Sequence, residues 1–381
     1  MSNFVQDSVH GYIKLNESET RVVDTEVFQR LRRIEQLGLT SLVYPSANHT
    51  RFQHSLGVLH TAGRFADSLG VDKHVKQELR MAGLLHDIGH GPFSHASEKV
   101  AEKQGIHHED LSCKKVDKLE DILDVSADRV KKIIRGELEI GKVVAGDIDA
   151  DRMDYLQRDS HFTGVNYGNI DVDTIIRIAE IDSRRIVFDY KGVQALESLL
   201  TARLHMIKSV YFHETCRIAE KMLERALDEF CKQKSVENMM RLDDYEAHSQ
   251  LKNYEDENGL YSRLAKRDLF KAALKKETQQ IEQDKFEALS GKSEREIEEV
   301  IASKAGINER DVLVDIPTPK ERERLDVRVK KDGEVRKLDE ISSIASSVLE
   351  TEKNLLVLGV YCPEDNVDKV KPAAKTFLNT L

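Results

Sequence analysis

The chain has 381 residues, of which 40% are hydrophobic and 33% are charged. This length exceeds what one compact core usually reaches, so we expect a main domain and a smaller appended one. The composition is too apolar for a disordered chain and too charged for a membrane protein, and no run approaches the roughly 18–20 apolar residues of a membrane span. A formal charge of −10 argues against a surface that coats nucleic acid, but allows a local basic pocket.

The cysteines and the N-terminal segment indicate the cellular compartment. Cys113, Cys216, Cys231 and Cys362 form no CxxC pair, which excludes a locally built zinc knuckle or redox dithiol. The first residues contain neither the basic region nor the apolar core of a secretory signal. These patterns predict reduced thiols in a cytoplasmic protein. No GxxxxGK[ST], GxSxG or HExxH motif is present, so ATP-driven work, serine hydrolysis and zincin proteolysis are unsupported.

The first two thirds of the chain predict helices after a short opening hairpin. Alternating apolar and polar residues at 9–15 predict the hairpin. A helix of about fourteen residues is predicted next, with Asp24 as its N-cap and Gly38 as its stop. Helical spacing of apolar residues predicts further helices at residues 52–69, 73–85, 122–134, 149–158 and 193–231.

The composition changes beyond residue 240. The charged run LKKETQQIEQDKFEALSGKSEREIEEV, at 274–300, predicts an exposed helix that is solvated or bridges subunits. Strands are predicted in DVLVDIP, LDVRVKKDGEVRKL and NLLVLGVYC, with a hairpin turn at 331–333. We therefore predict a mainly α fold with a helical core domain at 1–240 and a smaller helical and α+β lobe at 241–381.

A cluster of histidines marks the candidate site. His86 and Asp87 are adjacent at a helix end, His54 lies on the preceding helix, and a later helix offers a further carboxylate. Two imidazoles and two carboxylates suit a divalent ion such as Mn, Fe, Co, Ni or Zn, with Mg less natural. For the His86–Asp87 pair alone, a helix end with internal pairing is an equally good interpretation. The candidates for the further carboxylate are Asp147, Asp149, Asp151 and Asp154.

The order His54, His86–Asp87 and Asp151, together with HDIGHGPFSH, resembles the HD-domain metal-dependent phosphohydrolase superfamily. Five segments are similar to the SAM-and-HD-domain-type deoxynucleoside triphosphate triphosphohydrolases: DSVHGYIKL, DTEVFQRLRRIEQLG, RFQHSLGV, GLLHDIGHGPFSH and DADRMDYLQRDSHFTG. The resemblance covers residues 3 to 271. We expect no N-terminal SAM domain, because the segments that resemble the catalytic domain begin within a few residues of Met1.

The resemblance implies a metal-dependent attack of water on the α-phosphorus. The metal can hold an α-phosphate oxygen, lower the pKa of a water and neutralise developing charge. His95 would protonate the leaving oxygen, and the neighbouring His108 and Glu109 would orient it. Glu98 stands where the family usually has an aspartate, and His107 is interpreted as a surface residue. The implied metal ligands are His54, His86, Asp87 and Asp151, and the implied catalytic residues are His90, His95, His108 and Glu109.

The resemblance also implies a deoxynucleoside triphosphate substrate. Its roughly four negative charges must meet fixed cations. Without the resemblance, a salt-bridged helix face is the better interpretation of the arginines. Ile207 stands where the animal enzyme has a histidine near the base. The implied phosphate contacts are Arg51, Arg152 and Arg203, the sugar contacts are Gln36, Tyr155 and Asp159, and the residues that crowd the 2′ carbon are Leu37 and Tyr211.

A second nucleotide pocket between subunits is implied in the same way. It would bind GTP or a deoxynucleoside triphosphate as activator of a homo-oligomer, most simply a tetramer. Asn3 replaces a basic residue expected there. Without the resemblance, Asp24 is only an N-cap and Arg32 only a solvated residue. The implied pocket residues are Asp24, Gln29, Arg32, Arg267 and Lys271.

Two other functions stay open. The metal core alone does not distinguish a triphosphohydrolase from an HD enzyme that hydrolyses cyclic nucleotides or guanosine polyphosphates. The discriminating residues would be Gln36, Leu37, Arg203 and Tyr211. The other alternative is a non-catalytic nucleotide sensor or single-stranded nucleic-acid binder that retains the metal site for structure, against which the additional histidines argue.

Overall fold

The computed structural model describes residues 3–254, 259–316 and 325–381. The predicted fold class is confirmed, because the chain is mainly α-helical with three small sheets among these residues. Within the described part of the chain, no helix combines the length and the apolar character that a membrane crossing requires.

The first part of the chain is a hairpin followed by packed helices. The opening hairpin is confirmed, with its two strands antiparallel from Asn3↔Leu15 to Asp7↔Gly11. The predicted helices 52–69 and 73–85 are confirmed to within one residue. The elements are β1 (Asn3–Asp7), β2 (Gly11–Leu15), α1 (Glu17–Val23), α2 (Glu26–Gln29), α3 (Arg51–Ser68), α4 (Lys73–Leu85), α5 (His95–Glu102), α6 (His108–Lys118), α7 (Ala127–Ile134) and α8 (Ala150–Thr163).

Side-chain caps fix where the helices of the site begin. Asp72 accepts hydrogen bonds from two backbone amides at the start of α4, and Asp149 accepts one from Arg152 at the start of α8. Gly164 ends α8 in the left-handed conformation with φ of 76°, which glycine adopts without the steric cost of a Cβ. Because α3 packs against both α4 and α8, residues from all three helices face one another.

The predicted helix from Asp24 to Gly38 is wrong. Asp24 is the C-cap of α1, and Thr25 caps the short helix α2. A 3₁₀ turn follows at Arg30–Arg33, and the backbone then becomes extended, because Ile34 accepts a hydrogen bond from the amide of Arg51 at 3.0 Å. Backbone pairing with a distant segment has overridden the helical spacing.

The middle of the chain contains a break that the sequence did not predict. The expected helix 193–231 is two helices, separated by a turn of π-helix at Ile207–Tyr211 and two further residues. π-Helical turns are rare and concentrate at functional sites. The elements of this region are α9 (Val172–Arg177), β3 (Ala179–Asp182), β4 (Arg185–Asp189), α10 (Val193–Met206), α11 (Glu214–Gln233), α12 (Val236–Met239), α13 (Asp244–Lys252) and α14 (Leu260–Ala265).

The last part of the chain adds strands and helices. All three predicted strand regions contain strands, although residue 317 of the first lies outside the described residues. The single exposed helix predicted at 274–300 is wrong: its first residues belong to a strand, and Leu289 and Ile297 are buried. The elements are β5 (Lys271–Glu277), α15 (Gln283–Ser290), α16 (Glu294–Ala305), β6 (Leu313–Asp315), β7 (Arg328–Lys331), β8 (Glu334–Lys337), α17 (Leu338–Ile341), α18 (Ser343–Lys353), β9 (Val357–Cys362) and α19 (Val367–Thr380).

The packing crosses the predicted boundary at residue 240. One sheet has the order β3-β4-β7-β8, in which β4 is parallel to β7 through Phe188↔Val329. A second sheet, of order β5-β9-β6, packs against α16 and α19 and forms a separate hydrophobic core with them. Buried apolar side chains between residues 325 and 348 also belong to the same hydrophobic core as the first domain. The division into two domains therefore stays a prediction, and the strands on its two sides share one sheet.

Buried ion pairs join α11 to the last part of the chain. Arg217, Lys221 and Arg225 follow one another at four-residue intervals, and therefore lie on one helix face. Arg217 binds Asp315 at 2.6 Å, Lys221 binds Glu294 at 2.5 Å, and Arg225 binds Glu298 at 2.7 Å. Such buried pairs cost much when one partner is removed.

Gly57 of α3 allows α8 to approach, which generates a stability prediction. A Cβ at Gly57 would lie 1.8 Å from Asp154 Oδ1, so Gly57→Ala should lower the free energy of unfolding by about 3 kcal/mol or more. Gly63→Ala on the same helix is the control, because its Cβ would meet mainly the flexible end of Arg80. Urea unfolding of both variants measures this, and equal losses would contradict the assignment.

Candidate metal centre

Three helices bring the four predicted metal ligands together. His54 comes from the first turn of α3, His86 and Asp87 follow the end of α4, and Asp151 lies in the first turn of α8. His54 Nε2 is 2.9 Å from Asp151 Oδ1, His86 Nε2 is 3.3 Å from Asp87 Oδ1, and His86 Nε2 is 3.7 Å from Asp151 Oδ1. Ligand atoms of His54, His86 and Asp87 all lie within 4.8 Å of one another. The group can hold one metal ion.

Both histidines are oriented for metal binding. His54 Nδ1 lies 2.7 Å from Asp154 Oδ2, and His86 Nδ1 lies 2.8 Å from the carbonyl oxygen of Gly83. Because a carboxylate and a carbonyl only accept, each Nδ1 carries a proton, which leaves Nε2 of each ring as the atom that could bind a metal. Neither buried Nε2 makes a hydrogen bond within the described structure. These unsatisfied nitrogens fit a divalent cation.

The electrostatics also favour a cation at this position. Burial alone would lower the pKa of His54, but the carboxylates of Asp151 and Asp154 beside its ring outweigh this and raise the pKa to about 10. The carboxylates therefore stabilise a positive charge on His54 strongly. A metal ion bound at Nε2 would meet the same stabilisation, since it brings its own positive charge.

Asp154 is the buried hub behind the centre, and sequence reasoning gave it no role of its own. Besides His54, its carboxylate accepts from His10 at 2.6 Å and from Arg158 at 2.9 Å. Burial acts to raise its pKa, but Arg158, His10 and His54 together hold it well below the ordinary value. Arg158 also binds Asp7 of the hairpin at 2.9 Å. The three-residue spacing from Asp151 was the signal that both side chains face inward.

The loop between α4 and α5 has an uncommon backbone. Phe93 and Ser94 have φ of 57° and 45°, a region that costs energy for residues other than glycine. Asp244 accepts from the amide of Phe93 at 2.7 Å, and Ser94 Oγ accepts from Arg51 Nε at 2.9 Å. Arg51 also donates to Asp87. The predicted phosphate-binding arginine is thus tied to a metal ligand and to this loop.

The predicted catalytic histidines lie beside the metal ligands. The rings of His90 and His108 stack with centroids 4.0 Å apart, and His90 Nε2 is 3.3 Å from Asp87 Oδ1. Burial, with Arg51 and His108 nearby, lowers the pKa of His90 to about 3, so this ring is neutral at pH 7. Ligand atoms of Asp87, His90 and His108 form a second group that could hold an ion.

Glu98, rather than Glu109, is the main carboxylate partner of His108. His108 donates to Glu98, while Glu109 Oε2 lies 3.4 Å away and its side chain is half exposed. Burial opposes a charge on His108, but the bond to Glu98 raises its pKa. His95 is 55% exposed, with Nδ1 3.7 Å from Glu98. His107 is exposed, in line with its interpretation as a surface residue.

Three of the predicted sugar contacts lie on or against α8. Asp151, Tyr155 and Asp159 follow at four-residue intervals on this helix and share one face. Tyr211, in the π turn, donates its hydroxyl to Asp159 at 2.7 Å, and its ring centroid is 6.4 Å from that of Tyr155. The π turn between α10 and α11 therefore places Tyr211 against α8. Gln36 and Leu37 are buried, and Gln36 Oε1 makes no hydrogen bond within the described residues.

The other two predicted phosphate contacts are already paired. Arg203 of α10 binds both oxygens of Glu352, in α18, at 2.7 and 2.8 Å. Arg152 donates to the carbonyl oxygen of Asp147 at 2.5 Å. A phosphate would have to share these cations or displace their partners. Sequence reasoning missed Glu352, because nothing local links α18 to the site.

The predicted activator residues fall into two groups within one chain. Arg32 donates to Gln29 Oε1 at 2.8 Å and lies over the ring of Phe52, and Asp24 is exposed nearby in sequence. Arg267 and Lys271 instead line a polar surface pocket of about 220 Å³ with Glu214 and Phe270.

Buried histidines and aspartates at the junction of three packed helices, with more histidines beside them, define a metal-binding hydrolase centre of the HD type. The HD domain family matches residues 51–159, and the HD associated region matches residues 170–380. The chain belongs to the HD phosphohydrolase superfamily.

Several proteins match most of this chain, and one of them is named as a phosphohydrolase: a crystal structure from Bacteroides thetaiotaomicron has a TM-score of 0.77 at 28% identity, over 95% of this chain and 100% of the other. The chain is 38% identical over 377 residues to the uncharacterized protein MJ1154 of Methanocaldococcus jannaschii, covering 96% of this chain and 80% of that protein. The crystal structure of a hypothetical protein from Aquifex aeolicus matches with a TM-score of 0.82 at 32% identity, over 98% of this chain and 100% of the other. A Dictyostelium discoideum protein named as a deoxynucleoside triphosphate triphosphohydrolase SAMHD1 homolog is 34% identical over 254 residues, which are 60% of this chain and 49% of that protein.

Asp154→Asn tests the support of the metal centre. The amide can donate to His54 Nδ1, so the proton moves to Nε2 and the metal loses this ligand. We expect metal affinity to fall about 10- to 100-fold, measured as metal per chain by plasma mass spectrometry after dialysis against Mn²⁺. The control is Asp173→Asn, an exposed carboxylate paired with Arg64. Unchanged metal content in a folded Asp154→Asn protein would contradict this role.

Proposed function

We propose that the protein is a metal-dependent deoxynucleoside triphosphate triphosphohydrolase that releases a deoxynucleoside and inorganic triphosphate. The observation that carries the proposal is the face of α8 on which Asp151, Tyr155 and Asp159 follow one another, with Tyr211 bonded to Asp159. A metal ligand and the groups suited to a sugar thus share one surface. The name of the Dictyostelium relative supports this substrate class.

The buried arginines support a polyanionic substrate. Arg51 and Arg203 are both mostly buried, and each meets one carboxylate, Asp87 or Glu352. Burying guanidinium groups is costly unless they have charged partners. A triphosphate supplies more negative charge than these carboxylates and can bind arginine through two oxygens at once. We assign Arg51, Arg152 and Arg203 to the phosphates.

The histidines would divide the proton transfers. His54, His86, Asp87 and Asp151 would hold the divalent ion, which supplies a Lewis acid for a phosphate oxygen and an activated water when bound. Glu98 raises the pKa of His108, which favours the protonated ring that would donate a hydrogen bond to developing negative charge. The exposed ring of His95 can reach a leaving oxygen and protonate it. The proposed catalytic residues are His90, His95, His108 and Glu109. Glu98 would position His108.

Product analysis tests the proposal directly. The purified chain is incubated with each of the four deoxynucleoside triphosphates and Mn²⁺ or Mg²⁺, with and without GTP, and the products are separated by chromatography. We expect deoxynucleoside and triphosphate, and a loss of at least about 10³-fold in kcat for Asp87→Asn, since removal of one charge-stabilising group costs on that order. Cleavage of cyclic nucleotides or guanosine polyphosphates alone would replace the substrate assignment but keep the HD chemistry.

Leu37→Ala tests the proposed selection against ribose. Leu37 is buried, and truncating it opens room of about three methyl groups beside the proposed 2′ carbon. The ratio of kcat/KM for a deoxynucleotide to that for the matching ribonucleotide should fall about 10-fold, as is usual for a contact of this size. Val335→Ala, at an exposed position of β8, is the control. An unchanged ratio in Leu37→Ala would overturn this assignment.

The proposal includes activation and assembly. We propose that a guanine nucleotide or a deoxynucleoside triphosphate binds between subunits of a cytoplasmic homo-oligomer, at Asp24, Gln29 and Arg32 of one chain and Arg267 and Lys271 of another. The separation of these residues into two surface groups within one chain supports a pocket completed by a second subunit. Binding between subunits should increase the mass of the oligomer when GTP is added, and light scattering with and without GTP measures this.

A further inference from the structure

His49 is a buried histidine that no motif marks. It lies just before α3, is 1% exposed, and its ring stacks on Phe162 with centroids 4.7 Å apart. Nε2 is 2.8 Å from Asp159 Oδ1, and Nδ1 has no hydrogen-bond partner among the described residues. Because the carboxylate only accepts, the Nε2–H group donates to it.

Two donors hold Asp159 from opposite oxygens. His49 donates to Oδ1, and Tyr211 donates to Oδ2 at 2.7 Å. Asp159 is almost fully buried, and its contacts within the described chain include no lysine or arginine. A buried carboxylate without a cation is costly, so the carboxylate of Asp159 serves binding better than stability. Each oxygen keeps lone-pair capacity for a further donor.

Substrate chemistry identifies that donor. The sugar of a 2′-deoxynucleoside 5′-triphosphate has one free hydroxyl, at the 3′ carbon, because the 2′ oxygen is absent and the 5′ oxygen is esterified. We infer that His49 is a positioning residue that, with Tyr211, aims Asp159 at the 3′-hydroxyl and makes the site select substrates that carry it. This inference rests on the proposed function and specifies how its substrate is read.

A pair of substrates separates this role from a structural one. His49→Phe keeps a ring to stack on Phe162 but removes the donor, whereas His49→Gln keeps a donor. For each deoxynucleoside triphosphate that is cleaved, and for its 2′,3′-dideoxy analogue, kcat and KM are measured. His49→Phe should lower kcat/KM for the deoxynucleotide about 10- to 100-fold, as expected for a hydrogen bond to a charged group, and leave the dideoxy value unchanged. His49→Gln should restore most of the loss.

The control is a histidine outside the site that also stacks on an aromatic ring. His205 stacks its ring on Tyr167 at 5.2 Å and is exposed, so His205→Phe should change neither substrate. If His49→Phe does not fold, as judged by its melting temperature, His49→Leu replaces it. Equal losses for both substrates, or a wild-type enzyme indifferent to the 3′-hydroxyl, would overturn the inference and leave the proposed function standing. If the wild type cleaves no deoxynucleotide, the proposed function fails, and the inference fails with it.

Discussion

The buried carboxylate of Asp154 is the constraint on which the site depends. An ionised group removed from water must be matched by donors, and here they come from the hairpin, α3 and α8 as His10, His54 and Arg158. The same contacts set the proton position on His54, a proposed metal ligand, and hold the N-terminal hairpin against the core. Gly57 lets the two helices come close enough for this. The hydrogen bonds of the Asp154 carboxylate therefore both stabilise the fold and orient the proposed metal ligand His54.

The backbone departs from regular geometry where chemistry is needed. Phe93 and Ser94 adopt left-handed conformations beside the metal ligands, and a π turn carries Tyr211 to α8. Such conformations cost energy and persist only when surrounding contacts determine them. Asp244 and Arg51 hold the loop of Phe93 and Ser94 through hydrogen bonds. The hydrogen bond from Tyr211 to Asp159 accompanies the π turn.

The last part of the chain reaches the site through charges. Glu352 of α18 binds Arg203. The helix α11 carries three cations whose carboxylate partners belong to α16 and β6. Because ion pairs fix direction more strictly than apolar contacts, movement of this region would be felt at Arg203. The shared sheet of β4 and β7 adds a backbone connection.

Periodicity by itself determined the mainly helical class and the bounds of α3 and α4, because these follow from contacts a few residues apart. It placed a helix at α8 but ended it five residues early, at 158 instead of Thr163. Motif spacing picked out His54, His86 and Asp87 as candidate metal ligands, whereas Asp151 was chosen among four aspartates only through the family resemblance. The Asp24 helix, the helix 193–231 and the charged run 274–300 were misjudged for one reason: each is interrupted by pairing with a distant segment. His49 and Glu352 escaped notice likewise, since their partners lie 110 and 149 residues away. Only the tertiary structure decides which buried charges meet, because burial makes a polar group find a partner wherever the chain brings one.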